Sequence, residues 1–143
     1  ISNEDAHKTD LEGFASELAF CKLMNIYPDL EIEAFYSNDR GTIFNGDCYH
    51  LGLGCIDVKS TKHKNGHLLA TLDKAGYMPD TYALMIGEFP TYKFVGYASA
   101  EDLIDEKNIK NLGYGNGYAL KQGKLKIPPE LQTQDQWLSE YAG

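Results

Sequence analysis

The sequence predicts one domain in which α-helices and β-strands alternate, a mixed α/β (α+β) class. The chain has 143 residues, the length of a single domain that can build its own hydrophobic core. Its residues are 43% hydrophobic and 24% charged, as in ordinary globular domains. Apolar spacing near the start is typical of a helix, and two later segments are rich in buried-strand residues. These observations place residues 1–143 in one domain.

The first element is a helix predicted over residues 10–25, with Asp10 and Asn25 at its ends. At about 100° per residue, its apolar side chains form one stripe. Glu17 falls inside that stripe, where a carboxylate is costly unless it is paired, hydrogen-bonded or bound to metal. The alternative is a position at the margin, from which Glu17 reaches solvent or a lysine. The stripe consists of Leu11, Phe14, Leu18, Phe20, Cys21 and Met24.

Alternating and apolar patterns predict the strands on either side of the centre. Residues 31–36 alternate apolar and polar side chains, and residues 42–44 form a shorter strand. Residues 82–89 and 92–98 predict two buried strands, joined by a turn that contains Pro90.

The C-terminal third predicts one capped helix and one hairpin. Ser99 is placed to cap a helix over residues 99–107, whose acidic side chains fall in the first turn. Residues 118–127 predict a hairpin that turns at Gln122 and Gly123.

A hairpin in the middle of the chain carries the most informative motif. Asp47 begins or ends its first strand, residues 52–54 make the turn, and residues 55–61 return antiparallel. Because side chains alternate in a strand, Asp57 and Lys59 share one face, while Ile56 and Val58 share the other and can face the core. The hairpin can bring Asp47 near Asp57. Taken alone, the strand would carry only a surface ion pair worth under about 1 kcal/mol.

These residues resemble the motif of the PD-(D/E)XK nuclease superfamily. The order matches, with Glu17 on the first helix, Asp47 at the hairpin and Asp57-x-Lys59 on the next strand. The resemblance implies a Mg²⁺-dependent phosphodiesterase, in which Mn²⁺ would substitute. Asp47 and Asp57 would hold the metal with the backbone carbonyl of Val58, and Glu17 would complete the metal shell, bind a second ion or orient a metal-bound water. Lys59 would hold the attacking water or stabilise charge on the phosphate.

The resemblance also implies a fold. A restriction-endonuclease-like core, with a mixed central sheet flanked by helices, would span about residues 10–105, and residues 106–143 would form a C-terminal extension. The implied order is a helix, a three-stranded antiparallel meander, a second helix and further strands. Two departures stand out: Gly46 replaces the usual Pro before the first Asp, and residues 70–77 lack the Gln-x-x-x-Tyr pair of exonuclease-like branches.

Charge along the chain identifies candidate phosphate contacts. The formal net charge of −8 argues against non-specific binding to nucleic acid. Residues 58–72 nevertheless contain no acid. An ordinary solvated loop is the equal alternative for the basic segment. The candidates for binding the nucleic-acid backbone are Lys62, His63, Lys64, His67 and Lys74.

The expected function is therefore a phage-type or restriction-like endonuclease that acts on DNA. The resemblance allows a homodimer, because two strands need two active sites. No apolar run reaches the ~20 residues of a membrane span, and three cysteines do not make a disulfide framework. We expect a cytoplasmic protein, bacterial or virus-encoded, without a membrane partner. The rival is a non-catalytic acidic binding protein, either a DNA-mimic inhibitor or an inactive nuclease-fold recognition module.

Overall fold

The computed structural model describes residues 3–27, 48–72 and 79–128, which form helices and two β-sheets. The mixed α/β class is thereby confirmed. The strands predicted over residues 31–36 and 42–44 lie outside the described residues. The described elements are α1 (Asn3–Met24), β1 (Cys48–His50), β2 (Gly54–Thr61), β3 (Leu68–Thr71), β4 (Thr81–Glu88), β5 (Thr91–Ser99), α2 (Ala100–Leu103), β6 (Ile109–Asn111) and β7 (Asn116–Leu120).

The larger sheet is mixed, with the strand order β1-β2-β4-β5. β1 and β2 form the predicted antiparallel hairpin, and β4 and β5 form a second one. β2 and β4 are parallel, which requires a long crossover between them. The resemblance implied a helix in that crossover. Its described part instead contains strand β3, while residues 73–78 lie outside the described residues.

The smaller sheet has the order β3-β7-β6 and includes part of the predicted C-terminal extension. The prediction of a hairpin over residues 118–127 is wrong, because Gln122–Lys124 form a 3₁₀ turn. β7 pairs instead with β6 and with β3. The turn between β6 and β7 contains Gly113 and Gly115, whose φ angles of 97° and 144° favour glycine.

Helix α1 begins earlier than predicted, at Asn3, so Asp10 lies inside the helix and is not its N-cap. Its C-terminal end is as predicted. Asn25 has a φ of 57°, a left-handed conformation that Asn tolerates better than most residues. The amide of Ile26 then donates to the carbonyl of Cys21 at 2.9 Å and closes the helix end. Among the described helices, none combines the length and the apolar character needed to cross a membrane.

One face of the larger sheet packs against α1. Phe20, Cys21 and Met24 form a buried cluster with Ile56 and Val58 of β2. The alternation predicted for β2 is therefore confirmed on its apolar side. Burial of these side chains is the main force that holds α1 on the sheet.

The predicted apolar stripe of α1 is right only for its second half. Leu11, Phe14 and Leu18 remain 48%, 42% and 38% exposed. Ala15 and Ser16 are buried in their place. The reason is geometric: Ser16 lies one helical turn before the buried Phe20, whereas the three exposed side chains project from a neighbouring side of the helix.

The opposite face of the larger sheet packs against the smaller sheet. Tyr82 and Leu84 of β4 share a buried cluster with Leu68 and Ala70 of β3. Because Tyr82 and Leu84 are the cross-strand partners of Asp57 and Lys59, the polar pair lies on this same face. The smaller sheet thus lies on the same side of β2 as Asp57 and Lys59.

The predicted helix over residues 99–107 is shorter than expected. Its N-cap is confirmed, since the amide of Asp102 donates to Ser99 Oγ at 3.1 Å. The helix ends at Leu103. Asp105 then accepts a 3.0 Å hydrogen bond from the amide of Lys107 and caps a separate 3₁₀ turn, so its side chain competes with helix continuation.

Replacing Gly54 at the start of β2 is expected to destabilise the fold by about 1–3 kcal/mol. Gly54 has a φ of 77°, and a Cβ there would lie 2.8 Å from Asp80 Cγ. The same Asp80 carboxylate accepts a 2.9 Å hydrogen bond from the amide of Cys55, so Gly54→Ala would also disturb the hairpin. Urea unfolding measures the change. Gly13→Ala is the matched control: nothing lies within 4 Å of its added methyl, and alanine should stabilise helix α1. Equal effects at both sites would contradict the prediction.

Candidate active site

Asp57 and Lys59 form an ion pair on β2. Lys59 Nζ lies 3.4 Å from Asp57 Oδ1, and the two side chains are 35% and 22% exposed. The pair is possible because residues two apart on a strand project to the same face. The neighbouring apolar side chains face α1, as predicted. The arrangement holds one carboxylate and one ammonium together at the edge of the interior, where both still reach solvent.

Tyr82 lies beside Asp57 on the adjacent strand. The two residues are register partners of the parallel β2–β4 pair, and the Tyr82 side chain is fully buried. Burial first, and the negative charge of Asp57 second, raise the pKa of Tyr82 to about 12. Tyr82 is therefore a neutral phenol at physiological pH. It gives one side of the Asp57 carboxylate a less polar surrounding than water.

On the side of β2 away from β4, the neighbouring strand is β1. Cys48, the first residue of β1, is paired with Ile56 of β2. Asp47 itself lies outside the described residues. The residue that follows Asp47 in the chain, Cys48, is thus the hairpin partner of Ile56, the residue that precedes Asp57. The predicted hairpin is confirmed, and the position of the Asp47 side chain stays a prediction.

Glu17 lies on α1 and is half-buried. The buried side of α1 packs on the sheet face that carries Ile56 and Val58, whereas Asp57 and Lys59 lie on the other face. Glu17 is therefore held on an element that contacts β2 without sharing the face of the ion pair. The half-burial of Glu17 agrees with a position at the margin of the buried side, which the sequence offered as the alternative to a position inside the stripe.

A cleft of about 740 Å³ opens next to the ion pair, between β2, β3 and the connecting loop. Its polar walls come from the end of β2 and from the loop at residues 62–67. In the described part of the chain, no lining residue is acidic. Cations and hydroxyl groups in a concave site favour an anion. The polar lining includes Lys59, Ser60, Thr61, His63, Lys64 and His67.

The structure brings together most of the predicted phosphate contacts. His63, Lys64 and His67 line the cleft with Lys59, whereas Lys62 is exposed outside its lining. Lys74 lies outside the described residues. The clustering follows from a tight loop, in which the amide of Gly66 donates to the carbonyl of His63 at 2.9 Å. This loop turns the basic segment back over the end of β2.

Gln122 holds the basic loop in place and was missed as a site residue. Its Nε2 donates to the carbonyl of Lys64 and to the carbonyl of Gly66, each at 2.9 Å. Two hydrogen bonds from one amide fix the loop backbone where it borders the cleft. No local pattern identifies this role, because the partners are 58 and 56 residues away in the chain.

Gln122→Ala is expected to loosen the loop. The loss of two hydrogen bonds to partly exposed carbonyls should cost about 1–2 kcal/mol of local stability. Amide hydrogen exchange over residues 62–67 measures the change and should accelerate. Gln122→Met, which keeps the side-chain length without a donor, should accelerate exchange equally. Unchanged exchange in both variants would contradict the clamp, and an effect of Ala alone would assign the role to packing.

The donor chemistry at Asp57 fits a hard divalent cation. Mg²⁺ prefers carboxylate and carbonyl oxygens, and the Asp57 carboxylate is partly exposed on the strand that also contains Val58. The described residues hold no group of three His, Cys, Asp or Glu side chains arranged for a metal. Of the three predicted carboxylate ligands, Asp47 lies outside the described residues. Asp57 is paired with Lys59, which lines the cleft.

Comparisons with known proteins do not identify a family for this chain. Searches against protein-family models, curated proteins and solved structures found no match to the chain.

Proposed function

We propose that this protein is a metal-dependent nuclease that hydrolyses phosphodiester bonds, acting on DNA as an endonuclease. One observation carries the proposal: the Asp57–Lys59 pair stands beside a cleft whose described lining is basic and contains no carboxylate. A purely structural ion pair does not require a cleft lined by lysine and histidine beside it. The combination offers a carboxylate for a cation and an ammonium for a phosphate.

Lys59 is the residue best placed to act on the scissile phosphate. Its ammonium forms the ion pair with Asp57, and the residue lines the cleft. During hydrolysis a water oxygen bonds to phosphorus, the ester P–O bond breaks, and negative charge grows on the phosphate oxygens. A positioned ammonium stabilises that charge more in the transition state than in the ground state.

Asp57 would hold Mg²⁺ with the Val58 carbonyl, Asp47 and Glu17. The bound ion would supply Lewis-acid activation of the phosphate and of a water. The hairpin register supports the inclusion of Asp47, because Cys48, which follows Asp47 in the chain, is paired with Ile56, which precedes Asp57. Glu17 has weaker support, since α1 packs on the other face of the sheet.

The architecture supports a restriction-endonuclease-like core as part of the same proposal. The antiparallel β1–β2 hairpin agrees with two strands of the implied meander, and the parallel β2–β4 pair agrees with the implied mixed sheet. The helix α1 before the hairpin also agrees. The β3 strand in the crossover departs from the implied order. The DNA preference and a homodimer belong to the proposal and rest on the resemblance. A cytoplasmic location belongs to it as well and rests on the low cysteine count.

Cleavage assays test the proposed function directly. The wild-type protein should cut at least one of supercoiled plasmid, linear duplex, single strand and four-way junction in Mg²⁺ or Mn²⁺, and EDTA should stop the reaction. Internal cuts in circular DNA identify an endonuclease. If no nucleic acid is cut and calorimetry detects no Mn²⁺ binding, the nuclease proposal fails. The acidic binding protein, which needs no cation beside Asp57, then becomes the better hypothesis.

A further inference from the structure

Two segments of the chain lack acidic residues and together form one basic surface. Residues 58–72 contain three lysines and no Asp or Glu, and residues 107–128 contain five lysines and no Asp or Glu. In a chain with a net charge of −8, these segments hold eight of its 13 Lys and Arg residues. Such segregation of charge is what a surface for a polyanion requires.

Gln122 joins the two segments. Its amide donates to the carbonyls of Lys64 and Gly66, so the 3₁₀ turn Gln122–Lys124 lies against the loop at residues 62–67. Lys121 and Lys124 flank Gln122 and are exposed. The turn that carries Lys121 and Lys124 therefore lies against the loop that carries Lys62 and Lys64. The sequence separates them by more than 50 residues, and the clamp brings them together.

The lysines of this surface differ from Lys107 and Lys126, which lie in the second segment as well. Lys107 is paired with Asp105 and Lys126 with Asp102, each at 4.0 Å. Within the described residues, the surface lysines have no ion pair with a carboxylate. Clustered cations without counter-charges repel one another, and a row of phosphates relieves that repulsion while releasing counterions. The surface lysines are Lys62, Lys64, Lys121 and Lys124.

We propose that Lys121 and Lys124 extend the cleft loop into one continuous phosphate-binding surface, so that the substrate is a polynucleotide held on several phosphates. This inference rests on the proposed function and deepens it by naming the surface that holds the DNA outside the cleft. A mononucleotide or a small phosphodiester would engage the cleft alone. A nucleic-acid strand leaving the cleft past Lys64 meets the Gln122–Lys124 turn next.

Salt-dependent binding tests the surface. The affinity of a labelled DNA duplex for the protein is measured in EDTA, so that cutting does not interfere, between about 50 and 200 mM salt. For Lys121→Gln/Lys124→Gln, the slope of log Kd against log salt should fall by about two, because two phosphate contacts are lost. The matched control is Lys107→Gln/Lys126→Gln, which removes the same charge from the same acid-free stretch and should leave the slope close to that of the wild type.

Each outcome has a distinct meaning. A smaller slope in the first double variant alone supports the surface. Equal slopes in both double variants, with DNA cleavage by the wild-type protein intact, overturn the surface and leave the nuclease proposal standing. If the wild-type protein neither binds nor cuts nucleic acid, the surface is overturned together with the proposed function. Thermal unfolding of both double variants shows that any loss of binding is not a loss of fold.

Discussion

Lys59→Met is expected to lower kcat for DNA cleavage by about 10²–10³-fold, the usual effect of removing one group that stabilises transition-state charge. Methionine keeps the length and the apolar stem of the side chain and removes only the ammonium. Lys59 is the cation of the ion pair with Asp57, at 3.4 Å, and it lines the basic cleft. The effect should appear in kcat more than in KM, because charge grows on the phosphate during the reaction.

The structural cost of Lys59→Met should be small. The Lys59 side chain is 35% exposed, so its ion pair with Asp57 is screened by water and contributes under about 1 kcal/mol to stability. Lys93→Met is the matched control, since Lys93 is an exposed strand lysine on β5. A variant at Lys59 that unfolds at the wild-type temperature and cuts DNA at the wild-type rate would remove Lys59 from the mechanism.

The local part of the site was predictable because strand periodicity is a short-range property. Alternation over residues 54–61 needs only the order of side chains, and it placed Asp57 with Lys59 on one face and Ile56 with Val58 on the other. The hairpin before it was also predictable, since Gly54 adopts a conformation that favours glycine. The order of the eight residues of β2 was therefore enough to predict the centre of the candidate site, the Asp57–Lys59 pair.

The parts that failed depend on partners distant in the chain. β3 is a short strand whose partner β7 lies about 50 residues later, and nothing in its four residues specifies that pairing. Gln122 looked like a turn residue, although its amide binds the loop at residues 62–67. The exposed half of the α1 stripe shows the same limit. A helical period gives an apolar side, and the packing partner decides which residues on it are buried.

Asp57→Asn should remove divalent-metal binding and DNA cleavage together. Loss of groups that merely orient a ligand costs about 10–100-fold in metal affinity, so loss of the ligand itself should cost more. Asparagine keeps the size of the side chain and leaves a neutral oxygen, which is a much weaker ligand for a hard cation. Titration with Mn²⁺ by calorimetry measures the affinity, and plasmid cleavage in Mg²⁺ measures the activity.

The control for Asp57→Asn is Asp102→Asn, which removes one negative charge from an exposed carboxylate paired with Lys126 at 4.0 Å. It should bind Mn²⁺ and cut DNA as the wild type does. The comparison separates a metal ligand from a mere reduction of negative charge, because both variants change the net charge equally. Metal binding that survives in Asp57→Asn while cleavage is lost would assign Asp57 to the reaction and the metal to other residues. Survival of both would leave the Asp57–Lys59 pair as a structural feature of β2 and would assign both metal binding and cleavage to other residues.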